Sequence, residues 1–363
     1  MTNRQMFFII FMTLTSYTTI DIPEMMAQTA GRSSWIPILF TSVLFGISAV
    51  MIAKLNNMFL GKVFFDYSQE VIGKFFAYVI AVYFIGYFLM IGVYLQYKMI
   101  GVLASNFLPK TPKYILMFLG LVLFACVSYK GITSIARIFE IYGISFLVIT
   151  LTICVFMIVD GDPYNILPLF NPSDVKEYAN TMKDLIIPFG GLEVLLIIPF
   201  TDKNKKAPVK AFFSLLFIGF FYVLVVESTI MNLGINNTIL LNDSFIEALK
   251  ITEAPVIERL DIFYLTFGLT SLFSGMIIIF CAVVEYVCRI FSKVKRLFVV
   301  TAVGILFFVV CLATSSLKNI SKTYESFMFY PIIISCFLIP LVILILAKNK
   351  KRTQKHSRKR AEQ

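Results

Sequence analysis

The chain has 363 residues, 59% of them hydrophobic and 38 of them phenylalanine, with a mean hydropathy of +0.86. Soluble domains run nearer about 45 to 50% apolar, so a soluble fold is excluded and a polytopic membrane protein follows. The net charge of +11 is not carried by any basic, aromatic-interleaved soluble segment, which argues against nucleic acid as a partner, and the lone histidine, His356, and six cysteines without metal-ligand spacing argue against a metal, a cofactor or an enzyme.

Ten apolar runs approach the length needed to cross about 30 Å of hydrocarbon. They are Met6 to Ala27, Trp35 to Ala53, Phe75 to Val102, Tyr114 to Tyr129, Ile138 to Val159, Leu185 to Pro199, Ala211 to Leu233, Leu260 to Phe291, Leu297 to Ala313 and Met328 to Ala347. Two are short, and the sixth recruits residues from Tyr178 onward. Lys and Arg crowd alternate connections, Lys54 to Lys74, Lys130 to Arg137, Lys203 to Lys210 and Arg289 to Arg296, together with Arg4 and the tail from Lys348 to Arg360. Cytoplasmic loops carry this excess, so both termini are predicted to be cytoplasmic. The tail, residues 348–363, is expected to be disordered and to lie against anionic lipid headgroups or an acidic partner.

Taken in order, the first span carries hydroxyls at mid-depth, Thr13, Thr15, Ser16, Tyr17, Thr18 and Thr19, followed by Asp21, Pro23 and Glu24 before the outer interface. Hydroxyls can bond their own helix carbonyls and leave a polar but continuous helix. The acids argue instead for a break that faces protein or water. Trp35 sits where an interfacial anchor belongs. In the third span Tyr83, Tyr87, Met90, Tyr94 and Tyr97 share one helical face, either as packing between helices or, for Tyr87 and Tyr94, as a pocket wall. Lys98, near the outer end, is expected to snorkel. Arg137 and Glu140 are spaced for an ion pair on one face. The outer connection 160–184 reads as a candidate lid, and 238–252 as a second cap.

The sixth span contains Pro188-Phe189-Gly190-Gly191-Leu192-Glu193. Such a sequence facing lipid would leave backbone groups and a carboxyl unsatisfied, so it reads as a kink packed against neighbours or as a ligand site at a discontinuous helix. In the second case the Gly190 and Gly191 amides offer donors to a carboxylate, Phe189 lines the break, and Glu193 either holds an ammonium group or braces the break. Glu258, Arg259 and Asp261 are expected to hold the outer end of the eighth span. Farther along, Thr270 and Ser271 offer hydroxyls to a cation or substrate, with helix packing as the default. A polar break at the first member of each five-span set predicts an inverted repeat, about 4–159 and 178–347. An odd number of spans per repeat forces opposite orientations.

Gln5, Ala30-Gly31 with Trp35-Ile36, Glu70 with Gly73, Gly131 with Arg137 and Glu140, Asn165 with Leu167-Pro168, Phe189 to Glu193, and Glu258-Arg259-Leu260-Asp261 together resemble the spore germination permease family from end to end. That family supplies the membrane-embedded B subunits of GerA-type nutrient germinant receptors and belongs to the amino acid-polyamine-organocation superfamily. The resemblance implies a leucine-transporter-like fold with broken helices 1 and 6, a spore inner-membrane location, an A subunit and a lipoprotein C subunit as partners, and recognition of a small nutrient such as an amino acid. One departure is that no glycine lies between Thr15 and Thr19, where transport-competent relatives break their first helix. The resulting expectation is a nutrient-sensing receptor subunit; an amino acid permease and a scaffold with a vestigial pocket are the alternatives.

Overall fold

The computed structural model describes residues 1–16, 18–170, 175–241, 243–252, 259–315 and 320–361. The first span is a bent pair, α1 (Asn3–Leu14) and α2 (Thr18–Thr29), inclined at 55°. Next come α3 (Trp35–Met58), a short inner helix α4 (Phe64–Ile72), α5 (Lys74–Asn106), α6 (Lys113–Tyr129) and α7 (Ile132–Asp160). The sixth span begins with α8 (Val175–Asp184), gives up its helix there for consecutive turns over residues 185–191, and resumes as a 3-10 segment, Leu192–Ile197. It is followed by α9 (Ala207–Leu233), two short outer helices α10 (Ile235–Leu240) and α11 (Ser244–Ile251), then α12 (Leu260–Ile290) and α13 (Arg296–Ser315). The last span joins α14 (Ile320–Ile333) to α15 (Ile339–Ala361) through a π-helical turn, Ile334–Leu338.

Among the described residues seven helices are long and apolar enough to cross a membrane, and the bent pair, taken as one span, is an eighth. With α6 and the interrupted sixth segment, this is the ten-span arrangement expected from hydropathy. Hydrogen-bonded helices are the economical way to cross lipid, and each interruption therefore has to be enclosed by protein. α12 is the central post: every side chain from Ser274 to Val284 is buried, as befits a helix apolar all round. Small residues let backbones meet. A Cβ on Gly275 would come within 2.5 Å of Ser16, so α12 lies directly on the first break, and Gly219 of α9 approaches Ser42 of α3 in the same way. The outward faces remain apolar, with Phe75, Val79 and Val82 of α5 and Ile305 and Val309 of α13 exposed to lipid.

The inner end is tied by buried polar bonds. Asn56 donates its amide to the Leu195 carbonyl at 2.7 Å and accepts from the Tyr67 hydroxyl at 2.8 Å, all three residues being shielded from solvent. Arg289 pairs with Asp66, and Arg296 with Glu285 at 2.7 Å.

Several sequence expectations are corrected here. Glu140 pairs with Arg4 at 2.9 Å, across from α7 to α1, and Arg137 stays exposed; an inter-helix partner was closer than the residue one turn away. The tail is not disordered: α15 runs without a break through Ala347 to Ala361, and Lys350 and Lys351 donate to the Glu70 and Met58 carbonyls. The Trp35 indole donates to the Leu169 carbonyl at 2.9 Å and Arg32 to that of Leu167, so they pin the 160–170 connection. Arg259 pairs with Asp261 at 2.8 Å at the outer end of α12, as expected, whereas Tyr17 and Glu258 lie outside the described residues.

Candidate ligand-binding site

A cavity of about 1300 Å³ opens at the outer face and narrows towards the two breaks. Its floor is Thr13, Leu14 and Ser16 from the first break and Pro188, Gly190 and Gly191 from the sixth span, with Ile279 of α12 between them. Its walls are α2, the outer half of α5 and the start of the last span.

Polar groups at both breaks find partners within the protein. Gly190 donates its amide to Ile187 O at 2.9 Å, and Gly191 donates to both oxygens of Glu193, at 3.1 and 3.3 Å. The Glu193 carboxylate also accepts from the Cys336 thiol at 2.9 Å, and it is completely buried behind the glycines. Of the two roles read for this residue, the geometry is that of a brace. Gly191 has φ +105°, a conformation closed to side-chain-bearing residues at ordinary cost, which is why glycine stands there. At the first break the hydroxyls of Thr13, Thr15 and Thr19 donate to the carbonyls four residues earlier, at 2.6, 2.7 and 2.7 Å, and Ser16 donates to Thr13 O at 3.2 Å. Tyr222 of α9 joins the two breaks: its buried hydroxyl donates to Leu14 O at 2.7 Å and lies 3.3 Å from Pro188 O.

Of the residues expected in the site, Ser16, Thr18, Tyr94, Gly190 and Gly191 reach the cavity wall, and the others do not. Thr15 and Thr19 are turned into their own helix. Phe189 is buried between Phe45 and Tyr222, at ring separations of 5.3 and 5.5 Å. Tyr87 faces Glu193 from behind the break without hydrogen-bond geometry. Thr270 donates to Phe267 O, while the buried Ser271 hydroxyl has no protein partner among the described residues. The glycine pair therefore does not present free amides to a carboxylate.

The cavity's charge comes from side chains. Lys98 does not snorkel; it bonds Asp21 at 3.1 Å, linking α5 to α2, and its ammonium stands 5.6 Å from the Tyr94 ring. Tyr94 in turn stacks on Tyr324 of α14 with ring centres 3.8 Å apart. Glu24 and Asp243 also line the wall, and Glu24 accepts from Gln28 at 3.1 Å. Asp21 and Lys98 each stand eight residues from the outer end of their helices, about 12 Å at the helical rise, a matched depth that becomes a signal only once the helix ends are known. Tyr222 had no such signal, since it follows Phe217, Phe220 and Phe221 in an aromatic run.

The profile of the family described as "Spore germination protein" matches residues 1–320. Similar curated proteins include Spore germination protein YndE of Bacillus subtilis (strain 168), 23% identical over 333 residues and 90% of each chain, and Spore germination protein A2 of the same organism, 23% identical over 325 residues and 86% of each chain. Among solved structures, a Na+-coupled sialic acid symporter in its substrate-bound outward-open state aligns with TM-score 0.63 and 13% identity over 93% of this chain and 79% of that one. MhsT in complex with L-phenylalanine aligns with TM-score 0.63 and 12% identity over 94% of this chain and 97% of that one. A leucine-transporter-like membrane fold carrying this profile along most of its length makes the chain a member of the spore germination protein family.

Proposed function

We propose that the chain is the membrane subunit of a spore nutrient germinant receptor, residing in the spore inner membrane, that binds a small nutrient, an amino acid, and passes a conformational change to an A subunit and a lipoprotein C subunit. The observation that carries this reading is the outward-opening cavity whose floor is formed by both broken spans. A ligand there touches Leu14 and Pro188, whose carbonyls both meet the buried Tyr222 hydroxyl, so its binding energy can bias the relative arrangement of the two breaks. The Glu193 brace and the inner ties of Asn56 and Tyr67 are contacts through which such a bias would reach the cytoplasmic side.

The test is a thermal-shift screen of the detergent-purified chain against amino acids, nucleosides and sugars, with germination dose-response curves for any hit. Stabilisation by one class, matched by a germination response lost on deletion of the gene, is the expected outcome. No stabilisation by any class would leave the chain as an assembly scaffold. A second reading, a working amino acid permease, is favoured by the fold shared with a symporter. Accumulation of labelled ligand in proteoliposomes would establish it.

A further inference from the structure

In a site at broken helices the simplest anchor for a ligand carboxylate is the unpaired backbone amide. Here that anchor is absent at the glycine pair, because Gly190 and Gly191 donate within the protein. The cavity offers an alternative in side-chain charge. Among the lysines lining it, Lys113 and Lys183 are exposed, and Lys183 already donates to Asn180. Lys98 is the deep one, its side chain 16% exposed, and its partner Asp21 is 29% exposed, so the pair borders the cavity instead of lying sealed behind it. Glu24 stands within electrostatic reach of Asp21, Lys98 and Asp243, giving a negative cluster beside a single ammonium.

We infer that the Lys98–Asp21 ion pair is the specificity determinant of this site, opening to receive a zwitterionic α-amino acid whose carboxylate takes Lys98 and whose ammonium takes Asp21 and Glu24. This rests on the receptor reading above and names the chemical class it selects. A half-buried pair resists losing one partner, because the other is then left charged in a medium that solvates it poorly. A ligand carrying both signs one carbon apart exchanges one ion pair for two and leaves the net charge of the cluster unchanged. A monocarboxylate takes Lys98 from the carboxylates and a monoamine takes Asp21 from Lys98, each forming one new ion pair for the one it breaks, so both bind more weakly than the zwitterion. Tyr94, lying under the Lys98 ammonium and stacked on Tyr324, keeps the lysine in place during the exchange and connects it to the last span. Parting of Lys98 from Asp21 also removes an ion pair between α5 and α2, which gives the ligand a direct mechanical effect on the outer half of the first span.

The experiment uses the full chain in detergent and three sets of probes: L-alanine with ethylamine and propionate, L-valine with isobutylamine and isovalerate, and L-phenylalanine with phenethylamine and 3-phenylpropionate. Wild type should be stabilised by at least one amino acid and less by either of its analogues. Lys98→Met should weaken that amino acid about 100-fold and bring the amine to equal or tighter binding, because Asp21 is released; Asp21→Asn should favour the carboxylate in the same way. Lys98→Arg should retain the amino acid within about tenfold. The double variant Lys98→Met/Asp21→Asn leaves neither member of the pair without the other, so it guards against loss of fold, and it should weaken the amino acid about 100-fold as well. An unchanged amino acid affinity in Lys98→Met or in the double variant overturns the inference and leaves the receptor reading intact. So does equal stabilisation of wild type by an amino acid and its analogues, or stabilisation by nucleosides or sugars alone. Wild type that responds to no nutrient of any class overturns both.

Discussion

The two breaks solve one problem in opposite ways. At the first, the chain bends by 55° while hydroxyls of Thr13, Thr15 and Thr19 reach back to carbonyls four residues earlier, so most of its side-chain donors are local and Tyr222 supplies one from α9. At the sixth span the helix is abandoned: a proline and two glycines let the chain turn, and a buried carboxylate from two residues ahead takes the Gly191 amide. The first solution draws chiefly on the sequence of its own segment, with Tyr222 of α9 as its one named distant donor. The second needs Cys336 on the last span and, beneath it, Ser48 donating to the Cys336 carbonyl. A break that depends on distant partners is the one through which a signal can be passed to them, and it is also the more fragile.

That contrast can be broken most forcefully at Glu193. Glu193→Ala leaves the Gly191 amide unsatisfied in the protein interior and opens a cavity, for a loss of about 3 kcal/mol or more, read as low membrane abundance and an early thermal melt. Glu193→Gln keeps an acceptor and should fold. Normal abundance of the Ala variant with an altered ligand preference would return Glu193 to the binding site. At the joint between the breaks, Tyr222→Phe removes the single hydroxyl that meets Leu14 O and Pro188 O, costing about 1 to 2 kcal/mol, and it should shift the nutrient dose-response more than its modest loss of melting temperature implies. An unchanged dose-response would uncouple the breaks. The smallest effect is expected at the first break: Thr15→Val preserves shape, and the helix amide of Thr15 still bonds Phe11 O, so about 0.5 kcal/mol is at stake. A collapse of that variant would show the hydroxyl ladder to be as critical as the carboxylate brace.

The glycine pair also shows why a direct steric test of the site is ambiguous. Any side chain at Gly191 is strained by its φ of +105° and brings a Cβ to 3.0 Å from Thr13, whether or not a ligand binds nearby. The Lys98 and Asp21 variants carry no such backbone penalty.

Much of the architecture was legible in the chain. Lipid imposes length, apolarity and internal hydrogen bonding on each span separately, so the ten runs, their interruptions at Thr15 to Thr19 and at Pro188 to Glu193, and the repeat they suggest can be read locally. The side chains that line the cavity were only partly legible. Thr15, Thr19 and Phe189 have the right chemistry at the right depth, but which way a residue turns is decided by the neighbour it packs against: Phe45 and Tyr222 for Phe189, its own helix for the threonines. Glu140 found Arg4, Lys98 found Asp21 and Gly191 found Glu193 because long-range packing set distances that spacing along the chain does not contain. The sequence determined by itself that this protein crosses the membrane as broken and unbroken helices, since each span answers to the solvent alone. Which polar groups meet each other, and which are left to meet a ligand, was decided only when the helices packed, because hydrogen bonds and ion pairs depend on distances between segments and not on composition.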